Sequence, residues 1–245
     1  MNKLSREGTI ASDFPPVCAG CSARPLGVCG SLTPDQLRIL SRHAIRRRIM
    51  TGGEVIAQGE VAENCANIVN GVVILRKSLA NGRQQIVGLQ FAPDFVGHPF
   101  ARESALTAEA AVETDICCFP RRLIEQLSSQ APSLEHRLHQ QTLKELDEAR
   151  DWIVTLGRKT ALEKVASFLY IIFTRINPQQ DATSEFDLPL SRADIADYLG
   201  LTIETVSRQF TKLRRDKVIQ VSNIRHVCVP DLDRLINAAG IDLDQ

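Results

Sequence analysis

Nothing in the chain approaches the ~18 consecutive apolar residues that a membrane-crossing helix needs. Its first ten residues, Met1 to Ile10, are polar where a secretory leader would carry a hydrophobic stretch. These two absences place the expected site of action in the cytoplasm. Net charge is lacking too: 29 Lys and Arg balance 29 Asp and Glu, so no global basic field announces a nucleic-acid partner. His43, His98, His136, His139 and His226 stand in no recognisable Ser/His/Asp or paired-carboxylate context, which leaves hydrolytic catalysis without candidate residues and argues against an enzyme. There is no internal repeat and no low-complexity tract. What remains is an ordinary globular composition over 245 residues, enough for about two domains.

Against that plain background the cysteines stand out. Cys18, Cys21 and Cys29 form a C-x2-C-x7-C run near the N-terminus. In a reducing compartment such spacing points to metal binding or catalysis rather than to a disulfide framework. The run lies among Pro15, Pro16, Gly20, Pro25, Gly27 and Gly30, which predicts an irregular arm whose backbone can wrap around a metal. Zinc sites usually pair two short knuckles. One knuckle and a lone cysteine fit better with an iron–sulfur cluster that takes its fourth ligand from elsewhere, with zinc and unconnected thiols as the alternatives. Cys117 and Cys118 are adjacent on an expected strand, so they face opposite ways and only one can reach the arm. Cys65 and Cys228 sit in apolar or strand-like surroundings and read as buried structural thiols.

Thr33-Pro34 gives an N-cap and a proline at the first helical position, which predicts a short helix to about His43. Beyond it, Glu54–Ala57, Asn67–Val69, Val72–Arg76 and Gln85–Leu89 read as short strands separated by Gly52-Gly53, Asn70-Gly71 and Asn81-Gly82. Asn-Gly between apolar runs is a strong hairpin signal because both residues tolerate positive φ. The spacing predicts a small antiparallel barrel or roll. A long helix is expected over about Ser133 to Leu156. Thr142, Leu146, Ala149, Ile153 and Leu156 recur at alternating steps of four and three along it, as in a coiled-coil seam; a stripe packed on the chain's own barrel is the other reading.

The C-terminal third carries a helix-turn-helix pattern. Ser191 can cap a first helix with Asp194 three residues on, and Ile195, Ala196 and Leu199 form its buried face. Gly200 falls where the turn needs positive φ, and Thr202 caps the second helix. With Ile203 and Val206 expected inward, Glu204, Ser207 and Arg208 share the outer face that a recognition helix turns toward base edges. Arginine can bond guanine O6 and N7 together, glutamate can accept from cytosine N4, and serine is permissive. Seven bases against four acids between Ser191 and Arg225 leave a small local positive patch. A helical hairpin in a protein-binding domain is the competing reading. Val218–Val221 and Val227–Val229, separated by Ser222-Asn223, suggest a wing.

The N-terminal cysteines and Glu204-Thr205-Val206-Ser207-Arg208, which fits E-[TS]-[VI]-S-R, resemble the fumarate-and-nitrate-reduction branch of the cAMP receptor protein superfamily, over nearly the whole chain. The resemblance implies an α+β fold. Its parts would be a cysteine-rich arm (1–33), an antiparallel β-roll sensor domain (34–132), a dimerisation helix (133–157) and a winged helix-turn-helix domain (158–245). It implies a homodimeric transcription regulator that holds a [4Fe-4S] cluster and binds a TTGAT-N4-ATCAA-like palindrome in double-stranded DNA. Oxygen would degrade the cluster and dissociate the dimer, and RNA polymerase would be a partner. Cys18, Cys21 and Cys29 match the first three ligands, although the best-known members have five residues where this chain has seven. The pattern cysteine, any residue, apolar residue, proline matches Cys117-Cys118-Phe119-Pro120 and selects Cys117; counting from Glu113-Thr114 selects Cys118. Where nucleotide-binding members carry a phosphate cassette, this chain has Gly97-His98-Pro99-Phe100 and Arg102-Glu103-Ser104-Ala105. His98 and Pro99 remove the glutamate expected at the ribose, and Glu103 would oppose a phosphate, which argues against a cyclic nucleotide. The rivals are a small-ligand-activated regulator whose cysteines bind zinc or nothing, and an iron–sulfur oxidoreductase with an accessory domain.

Overall fold

The computed structural model describes residues 15–176 and 184–241. From Pro15 on, the arm is more ordered than its proline and glycine content predicts. It contains a helical turn, α1 (Pro16–Ala19), and a 3-10 turn at Val28–Ser31. Helix α2 (Pro34–Arg42) starts at a full capping box: the Gln36 amide N–H donates to Thr33 Oγ1, and the Thr33 N–H donates back to Gln36 Oε1 at 3.0 Å. Val28, Cys29 and Leu32 are buried in one apolar cluster with Leu37, Leu40, Phe119, Ile124 and Leu134. Apolar burial therefore fixes the arm, each fully buried side chain of this size contributing about 1.5–3 kcal/mol.

Eight strands follow. They are β1 (Ile45–Ile49), β2 (Glu54–Ile56), β3 (Asn64–Asn70), β4 (Val72–Ser78), β5 (Gln84–Phe91), β6 (Phe95–Val96), β7 (Thr107–Ala110) and β8 (Thr114–Pro120). They form two antiparallel sheets, ordered β1-β8-β3-β6 and β2-β7-β4-β5. The Asn70-Gly71 turn is not the expected hairpin: β3 pairs with β6 and β8, β4 pairs with β5 and β7, and the turn carries the chain from one sheet to the other; its glycine is required twice over. Gly71 has φ +100°, and a Cβ there would lie 2.5 Å from Thr114 Oγ1 and 2.8 Å from Thr114 Cα.

Helix α3 (Arg121–Gln130) leads into α4 (Pro132–Arg158), 27 residues long and so about 40 Å from end to end. Leu134 and Leu138 bury its start against the arm and roll, while Trp152 and Thr155 bury its end. Between them the expected seam is bare: Thr142, Leu146, Ala149 and Ile153 are exposed in the single chain, Ile153 at 69%, as is the adjacent Leu143. Leu156 departs from the seam, for it is half-buried against the chain's own core.

The C-terminal unit comprises α5 (Ala161–Ile176), β9 (Ser184–Asp187), α6 (Arg192–Leu199), α7 (Ile203–Arg215), β10 (Gln220–Ser222), β11 (His226–Val229) and α8 (Leu232–Ala239). The expected two-stranded wing gains β9 as a third strand, in the order β10-β11-β9. This unit rests on the roll. Ile74, Ile86 and Phe91 share one core with Phe168, Ile172 and Leu199. The Arg76 guanidinium joins Glu109 of β7 to Asp194 and Asp197 of α6 at 3.3–3.7 Å. Trp152 stacks on Tyr198 with ring centres 4.1 Å apart. Among the described residues no helix is long and apolar enough to cross a membrane.

Candidate metal centre and nucleic-acid interface

Strand register decides which distant cysteine meets the arm. Across the sheet, Cys117 of β8 pairs with Arg46 of β1 on one side and with Asn67 of β3 on the other; the next row is Ile45, Cys118, Ala66. Successive side chains leave a strand on opposite faces. Cys118 consequently turns into the roll, against Ile49, Ala66 and Ile116. Cys117 turns outward, and with Cys18, Cys21 and Cys29 it lines a single cleft closed by Leu37, Leu40 and Phe119. Cys65 is fully buried, and burial pushes its thiol up to about 12. Cys228 differs from expectation: on β11 the alternation buries Val227 and Val229 and leaves Cys228 half-exposed opposite Glu185.

Within the cleft, burial pushes the Cys29 thiol up to about 12. The neighbouring Cys117, Cys18 and Cys21 sulfurs push the same way, and a hydrogen bond from Asn67 opposes them. Burial takes Cys117 to about 11 against the pull of Arg46, and burial also raises Cys18. Each sulfur would repel its neighbours as a thiolate, so a cation between them is what would let all four ionise together. Among the described residues, no three Cys, His, Asp or Glu side chains converge closely enough to hold one metal ion. The four sulfurs border a shared cleft and do not meet at a point.

The helix-turn-helix has the local chemistry its sequence predicts. The Ser191 hydroxyl caps α6 by accepting from the Asp194 N–H at 3.1 Å, and Asp194 closes the box. Gly200 has φ +61° and ψ +40°, and Thr202 caps α7 by accepting from the Thr205 N–H at 3.2 Å. Val206, Phe210 and Leu213 anchor α7. Ile203 corrects the expectation of an inward residue: it keeps the spacing of that stripe but stands at the first residue of α7, and it is 48% exposed. Glu204, Ser207 and Arg208 are exposed, as are Thr211, Lys212 and Arg215. All six recur at helical spacing on one face of α7. Thr211 and Arg215 were missed as members of this face, although extending the 3.6-residue period from Glu204 finds both. Its own backbone N–H and the Thr202 hydroxyl hold the Glu204 carboxyl below the usual range. Among the described residues the Arg208 guanidinium bonds only Thr205 Oγ1, at 3.4 Å, an i−3 contact that a base edge could displace. Arg192, one of the seven bases of the local positive patch, lies 3.5 Å over the Phe210 ring and donates to the Ile224 carbonyl at the wing tip. It thereby fixes the wing relative to α7.

In the segment where a nucleotide cassette would lie, Arg102 and Glu103 are exposed, and the Ser104 hydroxyl donates to the Leu106 carbonyl at 2.6 Å.

Residues 163–238 match the model of the Crp-like helix-turn-helix domain, and residues 46–131 match that of the cyclic nucleotide-binding domain. The chain is 58% identical over 232 residues to a probable transcriptional activator of Rhizobium leguminosarum bv. viciae, covering 95% of this chain and 97% of that one. It is 41% identical over 231 residues to the transcriptional activator protein FnrL of Cereibacter sphaeroides, covering 93% of each. Among solved structures, FixK2 from Bradyrhizobium japonicum matches with a TM-score of 0.73 at 32% identity, over 80% of this chain and 96% of that one.

Proposed function

For a chain that belongs to the Crp/Fnr superfamily of transcription regulators, we propose an oxygen-responsive, homodimeric activator that depends on a [4Fe-4S] cluster held by Cys18, Cys21, Cys29 and Cys117. The relatives are named transcriptional activators, this chain carries a Crp-like helix-turn-helix domain, and it is not an enzyme. The observation that carries the cluster reading is the cleft itself, where three arm cysteines and one strand cysteine, far apart in the chain, line one space. The donor set fits the group. Soft thiolates suit iron–sulfur chemistry, and sulfurs spread around a cleft suit a cluster better than a single zinc, which needs all its ligands within about 2.3 Å of one point. A bound cluster supplies an oxygen-labile iron core held by thiolates.

The protein's own residues would convert ligation into a change at DNA. Cys18, Cys21 and Cys29 would tie the arm to Cys117 through the cluster they hold, and the arm in turn holds the start of α4: Ser133 Oγ donates to the Ser31 carbonyl at 2.8 Å, and Arg137 donates to the Leu26 carbonyl. Further along the same helix lies the exposed seam of Leu143, Leu146 and Ile153. Pairing two copies there would set the two α7 helices about one DNA turn, roughly 34 Å, apart, to match a TTGAT-N4-ATCAA-like palindrome. Ligation would shift the population toward the dimer to the extent that it favours the docked arm. Arg208 would read guanine, Glu204 would accept from cytosine, and Ser207 would pack alongside; RNA polymerase would be the partner at the promoter.

One observation favours a second reading, a regulator switched by a small ligand. A cavity of about 880 Å³ lies between β5, α4 and α5, lined by Leu89, Phe91, Trp152, Tyr170 and Arg175, and among the described residues the buried Trp152 Nε1 has no hydrogen-bond partner. Its size suits a small molecule. Binding to the palindrome, measured under argon and again after the same sample meets air, separates the two readings. The cluster reading predicts tight binding under argon and loss of both affinity and dimer in air. Equal binding in both gases, by a colourless protein, would refute it.

A further inference from the structure

We propose that Asn67 is a positioning residue for the metal centre, a buried amide that holds the Cys29 sulfur in ligating position by donating a hydrogen bond to it. The inference rests on the four-cysteine reading above. Asn67 lies on β3 and is 3% exposed. Its Nδ2 is 3.2 Å from Cys29 Sγ, a contact that crosses from the sheet to the arm. In the ladder Asn67 is the direct neighbour of Cys117, so both side chains leave the sheet on the same face. One amide thus stands between a ligand from the arm and the ligand from the strand.

Its surroundings argue against a purely structural role. Asn67 is buried beside Leu37, Leu40 and Phe119, where an apolar residue would pack without a desolvation cost. Its Oδ1 is buried and, among the described residues, has no hydrogen-bond partner, an unfavourable arrangement. What the side chain does accomplish is to aim an N–H at a sulfur. A thiol sulfur is a weak acceptor, whereas a sulfur that carries negative charge accepts strongly. The bond therefore strengthens when Cys29 is a ligand. On the other side of Cys117, Arg46 places a cation whose Nη2 is anchored 2.9 Å from the Val17 carbonyl, next to Cys18. The row Arg46–Cys117–Asn67 brings positive charge to one flank of the thiolates and a directed donor to the other. Hydrogen bonds to ligating sulfurs and to metal ligands govern cluster potential and metal retention, and their loss commonly weakens retention by about 10–100-fold.

The test uses full-length chain loaded with iron and sulfide under argon. Asn67→Leu removes the donor with the same number and branching of side-chain heavy atoms, Asn67→Asp removes it without changing shape, and Gln90→Leu is the control, a second buried amide that bonds the Phe95 carbonyl and the Glu145 carboxylate and no sulfur. Two quantities are read: the rate at which excess ferrous-iron chelator bleaches the visible absorbance, and the midpoint potential for adding one electron at an electrode, with no bond made or broken. Both Asn67 variants are expected to bleach about tenfold faster and to show a more negative midpoint, while Gln90→Leu matches wild type. Asn67 variants that load normally and match wild type in both readings would overturn the inference, and so would an equal effect of Gln90→Leu. A wild-type chain that takes up no iron and sulfide would instead refute the four-cysteine reading on which it rests.

Discussion

Replacing Ile153 by glutamate separates the two roles that the long helix could play. Ile153 is 69% exposed in the single chain, so about two thirds of its side chain is still available for burial. Full burial of such a side chain contributes about 1.5–3 kcal/mol, which leaves about 1–2 kcal/mol per chain and about 2–4 kcal/mol for a symmetric pair. Removing that alone raises the dimer dissociation constant about 30- to 700-fold. Glutamate adds two carboxylates facing each other across the axis, so the shift should exceed this range. Sedimentation velocity of the loaded protein under argon reads the result directly, and monomers are expected at concentrations where wild type is dimeric. Because Ile153 contacts little of its own chain, unfolding of the isolated chain should move by no more than about 0.5 kcal/mol. A dimer that survives unchanged, or a chain that unfolds instead, would refute the seam.

Three further outcomes follow from other parts of the molecule. Arg208→Ala is expected to weaken binding by about 1–3 kcal/mol and to relax preference at one base pair per half-site, while Lys212→Ala weakens all sequences alike and flattens the salt dependence by about one unit; titrations against single-base variants at two salt concentrations check both, and uniform weakening by Arg208→Ala would contradict its role. Gly71→Ala forces a side chain into φ +100° and onto Thr114, and should destabilise the fold by at least about 1–3 kcal/mol in urea unfolding; an unchanged midpoint would contradict the geometry. Hydrogen bonds to Asp187 and Glu185 raise His226 above its ordinary value. This pairing therefore supports the wing fully below about pH 6.5 and is lost as pH rises through the folded pKa. Ring-proton titration by NMR is expected to show Asp187→Asn bringing the pKa back down, and no change would remove Asp187 as the cause.

The parts legible in the sequence were those set by local chemistry. Ser191, Gly200 and Thr202 punctuate the two helices through backbone bonds that lie within a few residues, and Asn70-Gly71 marks a turn that tolerates positive φ for the same reason. Strand β1 was not legible, because Ile45-Arg46-Arg47-Arg48-Ile49 is an edge strand with three exposed arginines in a row and no alternation to read. The third wing strand, β9, depends on pairing with β11 some forty residues on. Alternation could say that Cys117 and Cys118 face opposite ways, but it could not say which face meets the arm; that required the register against Arg46 and Asn67. Asn67 itself carried no local signal, since its partner sulfur is 38 residues away. Ile203 was misread because it keeps the spacing of the stripe of Val206, Phe210 and Leu213, and periodicity does not report that the first residue of a helix can stand uncovered.

The most direct test of the central claim is the iron and acid-labile sulfide content of anaerobically loaded chain, compared between wild type, Cys117→Ser and Cys118→Ser. If four cysteines from the arm and β8 hold the cluster, wild type and Cys118→Ser carry about four irons and four sulfides each, and Cys117→Ser, with a poor hydroxyl ligand in the cleft, carries close to none. Full loading of Cys117→Ser, or stoichiometric zinc in a colourless wild type, would contradict the account.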